Sequence, residues 1–421
     1  MDHLIPFSAE KGGYRHCWKP IAVAPMPVHF CEWGSSALTK VRPFPEERVY
    51  AEIEWLGKNK CPYADCCDAN TGILKVRDKA IVQKLVETKA QYGYPQTFRT
   101  SFAKNSNEVV WDIANVLHKA GMLKAVTLAM QSMDKDVLKV IKRKNIPFDN
   151  FIDLVKRYDD AGIPTYTELI MGLPGETLET YLNGIEQCLE AGQHAGLFCY
   201  LNCMLPNTEQ AKPAYRNLHG LRTVDMQAML SHGTPDSSEI RERQETIIET
   251  KAMPHSDWRR AYLFSKVVEV FHVQGLLQKT AIVCHDKWGM KYRDFYFRLM
   301  WWLETYPTTI AGQEYKGIQT VLDRALSGGS WDCVDPLLGD ISWPPEEFAF
   351  AHICCQLERF YDEIWDFYTH LLENIEIVVL WADQRQELVG PEPGKEMEWA
   401  RTVIWYGRKG LGKKLKVRRS D

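Results

Sequence analysis

Residues 164–192, PTYTELIMGLPGETLETYLNGIEQCLEAG, contain the strand, loop and helix that indicate the fold. The first part is rich in β-branched and aromatic residues, which predicts a strand that ends near Met171. Residues 172–175 (Gly-Leu-Pro-Gly) predict a tight loop, and apolar residues then recur at helical spacing as far as Gly192. A strand, a tight loop and a helix in this order form one βα unit.

The same alternation runs from about residue 44 to about residue 206. Helical patterns occupy 47–60, 79–93, 107–121, 134–145 and 151–162, and strand patterns occupy 63–67, 96–103, 125–130 and 196–205. Strands that alternate with helices at this spacing predict a parallel sheet. A Gly-x-Gly-x-x-Gly turn does not open the first helix, so a full or partial βα barrel is favoured over a dinucleotide-binding sheet.

Beyond about residue 221 the pattern changes to helices that carry most of the tryptophans. The segments that read as helices are 236–253, 257–277, 292–306, 346–375 and 396–410. Aromatic side chains at helical spacing are typical of a buried core. We therefore expect a second, mostly α-helical region after the barrel.

Composition and charge argue for a protein without nucleic acid or membrane partners. The net charge is -4, which gives no bulk attraction to anionic surfaces. The basic stretch 408–421 reads as a solvated terminus. No apolar run approaches the roughly 20 residues of a membrane span. The longest candidate, residues 375–382, is typical of a buried strand or helix segment. The N-terminus shows no secretory pattern. We expect a cytoplasmic protein whose 12 cysteines are thiols or metal ligands.

Two local motifs give weak signals. CPYADCC, residues 61–67, resembles the start of an iron–sulfur motif, but its cysteine spacing does not suit one cluster. Cys66 and Cys67 are adjacent on a predicted strand and should point to opposite faces, so we interpret them as thiols that pack in the strand. The Gly-Leu-Pro-Gly loop is no phosphate loop, because the Lys-Ser/Thr that should follow is missing.

The order of several short segments is more specific than any one of them. The chain contains CEWG (31–34), DAN (68–70), LAMQS (128–132), ELIMGLPGET (168–177) and MLPNTE (204–209), each placed at or just after a predicted strand. In this order they resemble the radical S-adenosylmethionine (SAM) superfamily, in the branch that has cobalamin-binding relatives. The resemblance covers residues 31–215.

The resemblance implies an α/β fold with a partial (β/α) TIM-like barrel of the radical SAM type, followed by a mostly α-helical C-terminal domain. In this family three cysteines spaced Cys-x3-Cys-x2-Cys hold a [4Fe-4S] cluster, and an electron from it cleaves SAM to a radical that takes hydrogen from the substrate. The implied cofactors are the cluster and SAM, with cobalamin in relatives and no cobalamin motif here. The implied partners are a small-molecule or unknown substrate, for which methylation is one modification to expect, and an electron donor such as ferredoxin or flavodoxin.

The resemblance also assigns roles to residues that match the family's segments. Cys31 matches the third cluster cysteine, and Asp68 and Asn70 match the segment that binds the SAM amino group. Lys142 and Arg143 are candidates for the SAM carboxylate, with a solvated helix surface as the alternative. The remaining matches are to the ribose segment, Gln131 and Ser132, and to the strand and loop beside the adenine, Glu168, Gly172, Leu173, Pro174 and Gly175.

The first two cysteines of the family motif are missing. They are expected at positions 24 and 28, where the chain has Ala24 and Val28, and neither of these side chains binds iron. Cys17 is the only thiol before Cys31, so the motif would remain one ligand short even if Cys17 replaced another. As written, the chain is expected not to hold the cluster in the family's way.

The codons of residues 18–30, WKPIAVAPMPVHF, suggest an explanation. If the last base of each codon is read with the first two of the next, permitted third bases give Glu-Thr-Asn-Arg-Gly-Cys-Pro-Tyr-Ala-Cys-Thr-Phe, with both missing cysteines. We hypothesise that residues before about Phe30 are out of frame and that one extra base near the codons of Phe30 and Cys31 restores the frame. In this reading the third base of each original codon can be chosen freely. The first two bases are fixed by the amino acid, and they must agree with the family's segment in every shifted triplet.

This hypothesis sets the expected domain organisation. Residues 1–30 form an atypical, out-of-frame segment, 31–215 the radical SAM core and 216–421 a helical C-terminal domain. Met1 is then an internal start, and the N-terminal cobalamin domain of the relatives is absent.

Three interpretations of function remain open. The first is a radical SAM enzyme impaired by the loss of its cysteines, and the second is a catalytically inactive barrel that binds SAM or a protein partner. The third is an ordinary βα-barrel enzyme without iron, in which carboxylates or a histidine near strand ends do acid–base work. The candidates for that work are Asp68, Glu168, Glu176 and His194.

Overall fold

The computed structural model describes residues 15–18, 29–31, 43–103, 107–194, 196–235, 240–371, 391–395 and 399. The chain divides into two compact units. Unit 1 comprises Met1–Leu169, Glu190–Phe198 and Leu205–Tyr215, and unit 2 comprises Ile170–Leu189, Cys199–Met204 and Arg216–Asp421. The expected boundaries at residues 31 and 215 stay a prediction.

The first half of the chain alternates strands and helices, as predicted. Strands β1 (Arg15–Trp18), β2 (Tyr63–Thr71) and β3 (Thr97–Phe102) form one parallel sheet, and β4 (Val126–Thr127), β5 (Thr165–Met171) and β6 (Leu197–Leu201) form another in that order. β4 and β5 are parallel. The described strands of this half form two sheets and not a closed barrel, and an isolated parallel bridge pairs Phe98 of β3 with Leu123 just before β4. The helices are α1 (Glu46–Lys58), α2 (Lys75–Tyr92), α3 (Asn107–Lys119), α4 (Lys135–Val140), α5 (Phe148–Asp160) and α6 (Leu178–Glu190).

The fourth helix shows how the local sequence sets an element's ends. Asp134 begins α4 as predicted, because its carboxylate accepts hydrogen bonds from the N–H groups of Asp136 and Val137 at 2.9 and 2.8 Å. The helix ends at Val140, earlier than predicted. Lys142 has a left-handed backbone with φ +53°, which an α-helix does not accommodate. The residues after Val140 therefore leave the helix axis.

Unit 2 is mostly helical, as predicted, but it also contains an antiparallel strand pair. α7 (Pro213–His219) precedes β7 (Arg222–Gln227) and β8 (Arg243–Glu249). The helix predicted over 236–253 is therefore wrong. Its charged residues suit a helix surface, but Thr246, Ile247 and Ile248 are consecutive β-branched residues that are buried in the strand.

The predicted helices in the rest of unit 2 are present with two changes, and two further helices, α9 (Gln278–Trp288) and α11 (Ile310–Leu326), were not predicted. The predicted segment 257–277 is α8 (His255–Val267) followed by a π-helix, Val268–Val273. The predicted single helix 346–375 breaks at Gln356, between α12 (Pro345–Cys355) and α13 (Leu357–Leu371). The predicted segment 292–306 is α10 (Tyr292–Thr305).

The core of unit 2 is aromatic, which confirms the interpretation of the helical stripes. Trp258, Trp302, Trp331 and Trp343 are fully buried. The Trp258 and Tyr262 rings are stacked with their centroids 6.0 Å apart. Large aromatic side chains of this kind supply most of the buried apolar area of a helical core.

Unit 2 also contains an ionic cluster in which the buried Lys266 and Glu269 meet the partly buried Glu346. The Lys266 ammonium lies 2.6 Å from Glu269 and 3.0 Å from Glu346. Glu269 also accepts the backbone N–H of Cys199 at 2.9 Å. Burial raises the pKa of Glu269 to about 7, although Lys266 opposes the shift. Burial alone would lower the pKa of Lys266, but the two carboxylates outweigh burial and raise it.

Some predictions fall on residues outside the described part of the chain. These are the segment 375–382, most of the helix predicted over 396–410, the basic stretch 408–421 and nearly all of residues 1–30. Among the residues that are described, we find no helix with the length and apolar character needed to cross a membrane.

Candidate functional site

The segment after the buried part of β2 carries two predicted site residues. Asp68 is buried with 4% of its surface exposed, and Asn70 is half-buried. The strand pairing with β3 shifts register between Cys66 and Thr71, so the backbone bends at this segment. Cys66 is buried and Cys67 exposed, which confirms that they point to opposite faces.

Asp78, which was not predicted from the sequence, fixes the turn that follows Asn70. Its carboxylate accepts the N–H groups of Gly72 at 2.7 Å and Leu74 at 3.1 Å. Burial raises the pKa of Asp78, and the two backbone N–H groups oppose that shift. Asp78 directly precedes the helix predicted over 79–93, and an acidic residue at the start of a helix was the available signal.

We expect Asp78→Ala to lower the free energy of unfolding by about 2 kcal/mol, because it leaves two backbone N–H groups without their carboxylate. Urea denaturation measures the change. Asp78→Asn keeps one acceptor oxygen and should lose less than the alanine variant. Equal losses in the two variants, or a loss below about 0.5 kcal/mol, would contradict the role of this carboxylate.

The predicted ribose segment is a constrained turn in unit 1. Gln131 has a left-handed backbone with φ +62°, and its N–H donates to the carbonyl of Glu168 at 2.8 Å. Gln131 and Ser132 are both buried. The Asn145 side-chain amide donates to the carbonyls of Met130 at 2.6 Å and Ser132 at 2.9 Å. A non-glycine residue held in this region is typical of functional sites.

Arg143 lies in the same region and is buried. It donates from Nε to Asn145 Oδ1 at 2.8 Å and from Nη2 to the Ala129 carbonyl at 2.6 Å. Burial lowers the pKa of Arg143 to about 10, while nearby Glu168 and Cys31 oppose the shift. Arg143 is therefore not on a solvated helix surface, which was the alternative for this residue. Lys142 is exposed.

The short segment 29–31 is attached to the end of α4. The N–H of His29 donates to the Ile141 carbonyl at 3.2 Å, and the His29 carbonyl accepts the N–H of Gln210 at 3.3 Å. Nδ1 of the His29 ring lies 3.3 Å from the Tyr215 hydroxyl. These contacts hold Cys31, which is half-buried, in the region of Arg143 and Glu168.

The predicted Gly-Leu-Pro-Gly loop follows β5 in unit 2. Gly172 has φ +81°, and a Cβ at this position would lie 3.3 Å from Nε1 of Trp258, so glycine is required here. The Gly172 N–H donates to Glu176 at 3.1 Å. Leu173 and Pro174 are buried and Gly175 is exposed. Glu176, a candidate for acid–base work, instead holds the loop.

Sequence comparison identifies the family of this arrangement. Residues 27–207, which include every predicted site residue, match the model of the radical SAM superfamily. These residues form a radical SAM domain. The match confirms the family predicted from the sequence, and this family is one of enzymes.

The similar curated proteins are methyltransferases. The cobalamin-dependent radical SAM methyltransferase TokK of Streptomyces tokunonensis is 33% identical over 446 residues, which cover 99% of this chain and 64% of TokK. The 2-(S-pantetheinyl)-carbapenam-3-carboxylate methyltransferase of Streptantibioticus cattleyicolor is 32% identical over 364 residues, 83% of this chain and 53% of that protein. The chain thus spans between half and two thirds of these relatives' lengths.

A solved structure gives a weaker likeness. The radical SAM methyltransferase TsrM of Kitasatospora setae, determined with cobalamin and a [4Fe-4S] cluster, is 14% identical. The match covers 59% of this chain and 52% of that chain, with a TM-score of 0.45.

The radical SAM domain implies a [4Fe-4S] cluster and SAM, and cobalamin occurs in relatives. The described residues do not fit the cluster. They contain no group of three or more His, Cys, Asp or Glu side chains placed to hold a metal ion. Cys31 is the single matching thiol, and Ala24 and Val28 lie outside the described residues. The roles assigned to the SAM-binding residues stay predictions.

Proposed function

We propose that this chain derives from a SAM-dependent methyltransferase of the radical SAM superfamily that acts on a small molecule. The observation that carries the proposal is the 33% identity to a cobalamin-dependent radical SAM methyltransferase across 99% of this chain. We also propose that the intact protein takes electrons from a donor such as ferredoxin or flavodoxin and works with cobalamin.

The buried polar groups of unit 1 support SAM binding. SAM, when bound, supplies the methyl group. We propose that the Asp68 carboxylate accepts hydrogen bonds from its amino group and that Arg143 pairs with its carboxylate. Gln131 and Ser132 would contact the ribose from a turn that is already constrained. The Gly172–Gly175 loop belongs to unit 2, and its assignment to the adenine rests on the family resemblance alone.

We further propose that the polypeptide as written does not assemble the cluster. Cys31 supplies one thiolate where the family uses three. With permitted third bases, the shifted codons of residues 18–30 can encode both missing cysteines, so we propose that residues 1–30 are out of frame. Sequencing the gene across the codons of residues 16–32 tests this. We expect that a shift of one base near the Phe30 codon exposes the codons of a Cys-x3-Cys-x2-Cys motif. If no such shift exposes them, the proposal is overturned.

Arg143 provides a test of the SAM site that does not need the cluster. We expect Arg143→Gln to weaken SAM binding at least tenfold, since one charge-assisted pair contributes about 1.5–3 kcal/mol. Equilibrium dialysis with labelled SAM measures the affinity. Lys142→Gln removes the same charge from the neighbouring exposed position and should bind SAM as the unchanged chain does. Equal affinities in the two variants would exclude Arg143 from the site.

A second candidate is a catalytically inactive barrel that binds SAM or a protein partner. The lack of a three-ligand metal group among the described residues favours it for the chain as written. Iron analysis after anaerobic reconstitution, together with SAM dialysis, separates the two candidates. For the chain as written, near-zero iron with SAM still bound is expected, whereas about four irons per chain would overturn both the inactive barrel and the proposed loss of the cluster. The two candidates differ in the chain that carries the restored cysteines, which binds iron only if the protein derives from a cluster-binding enzyme.

A further inference from the structure

One side of the unit 1 strands carries exposed and half-exposed side chains. Successive residues of a strand face opposite sides of the sheet. Phe98, Thr167 and Leu197 are buried, whereas Arg99 and Phe198, which follow Phe98 and Leu197, are exposed. We name this exposed side the open face and define it by four residues, Arg99, Thr127, Tyr166 and Phe198.

Two aromatic rings form an apolar wall on the open face. The Tyr166 and Phe198 rings lie with their centroids 5.6 Å apart and their planes at 84°, an edge-to-face pair. Phe198 is 41% exposed. Burial raises the pKa of Tyr166, while a hydrogen bond with Thr127 opposes the shift. Tyr166 is therefore a neutral, oriented ring at physiological pH.

Arg99 adds a positive charge beside this wall. It is close enough to Tyr166 to lower the tyrosine's pKa. Asp65 is its register partner on β2, yet the described residues give Arg99 no ion pair or hydrogen bond. The other arginines of unit 1 whose side chains are described have such partners: Arg48 with Glu52, Arg77 with the Phe44 carbonyl, Arg143 with the Ala129 carbonyl and Arg157 with Glu108.

Glu168 also acts on Tyr166, whose pKa it raises, but no hydrogen bond or ion pair joins its carboxylate to Arg99 among the described residues. Glu168 lies in the region of the buried Arg143 and opposes the shift of that residue's pKa. The open face therefore combines an exposed guanidinium with an exposed apolar ring. A guanidinium binds a carboxylate with two parallel hydrogen bonds, and an aromatic wall packs against a flat apolar group.

We propose that the open face is the substrate subsite, with Arg99 as the residue that binds a substrate carboxylate and with Tyr166 and Phe198 as the wall for the adjoining ring or apolar group. The inference rests on the proposed function, because it treats the chain as one that acts on a small molecule. It adds the substrate class, a small organic carboxylate with a neighbouring apolar ring.

A matched pair of ligands tests the proposal without SAM or iron. We expect the full chain to bind 2-naphthoate at least tenfold more tightly than 2-naphthamide, as measured by ligand-observed NMR titration. Arg99→Gln should lower the affinity for 2-naphthoate about tenfold or more and leave 2-naphthamide unchanged, since charged hydrogen bonds contribute more than neutral ones. Phe198→Ala should weaken the binding of both ligands.

Lys119→Gln is the control, because Lys119 is an exposed cation on α3. It should bind both ligands as the unchanged chain does. Equal affinities for the two ligands, no loss in Arg99→Gln, or no binding of either ligand at millimolar concentration would overturn the carboxylate subsite. None of these outcomes depends on cluster assembly or SAM turnover, so failure of the subsite is distinguishable from failure of the proposed function.

Discussion

A chain in which residues 18–30 are replaced by Glu-Thr-Asn-Arg-Gly-Cys-Pro-Tyr-Ala-Cys-Thr-Phe is expected to bind about four iron atoms after anaerobic reconstitution. The unchanged chain is expected to bind close to none. The replacement places two cysteines before Cys31 at the family's Cys-x3-Cys-x2-Cys spacing, which lets one loop ligate three irons of a cluster. Iron and sulfide analysis, with the absorbance near 400 nm, measures the difference.

The control for this experiment is the replaced chain with Cys31→Ser. It keeps the new segment and removes one thiolate, so its iron content should fall well below that of the replaced chain. If the replaced chain retains no more iron than the unchanged one, the out-of-frame hypothesis no longer accounts for the missing cysteines.

Lys266→Met is expected to lower the free energy of unfolding by about 3–5 kcal/mol at pH 7.5. It leaves the buried Glu269 and the partly buried Glu346 without their shared ammonium, and an uncompensated buried charge is strongly destabilising. Thermal denaturation and urea titration measure the loss. Lys316→Met, at an exposed position of α11, is the control and should change stability by less than about 0.5 kcal/mol.

The loss should depend on pH in a defined direction. The folded pKa of Glu269, about 7, lies above its ordinary value of 4.5, so the folded state binds this proton more tightly than the unfolded state. The stability that this proton contributes is present below pH 4.5 and is lost as pH rises through 7. In Lys266→Met the buried Glu269 has lost the ammonium that favours its charged form, so it needs its proton to stay buried. The deficit should therefore be smaller at pH 5 than at pH 7.5, and a deficit that is constant across this range would contradict the assignment.

Periodicity predicts the fold well where neighbouring residues determine the structure. Residues 164–192 form β5, the loop and α6 because their apolar spacing and glycines act over short distances. A helix was wrongly predicted for residues 243–249 because their charged residues suit a helix surface. Their strand depends on pairing with 222–227, where Arg222 pairs with Glu249 and Arg243 with Asp225 across the strands. Pairing of this kind is tertiary and is not visible in a local window.

The candidate site was predictable for residues that match an ordered motif. The structure places Cys31, Arg143 and Glu168 in one region of unit 1, and it constrains the Gln131 turn through a Glu168 carbonyl. Asp78 was missed because its role is to accept two backbone N–H groups, and such contacts leave no spacing pattern. Arg143 was uncertain because the end of α4 at Val140, which turns it inward, is set by a left-handed residue that propensity does not reveal.

The hydrogen bonds of Arg143 affect the entropy that its side chain would lose on binding a carboxylate. A free arginine side chain loses about 2 kcal/mol of rotamer entropy when it is immobilised. In this chain Asn145 and the Ala129 carbonyl already restrict the guanidinium before any ligand arrives. Little conformational freedom remains to be lost on association, so Arg143 is preorganised for the SAM carboxylate that we propose it binds. Asn145→Ala should accordingly weaken anion binding mainly through an unfavourable entropy change in calorimetry.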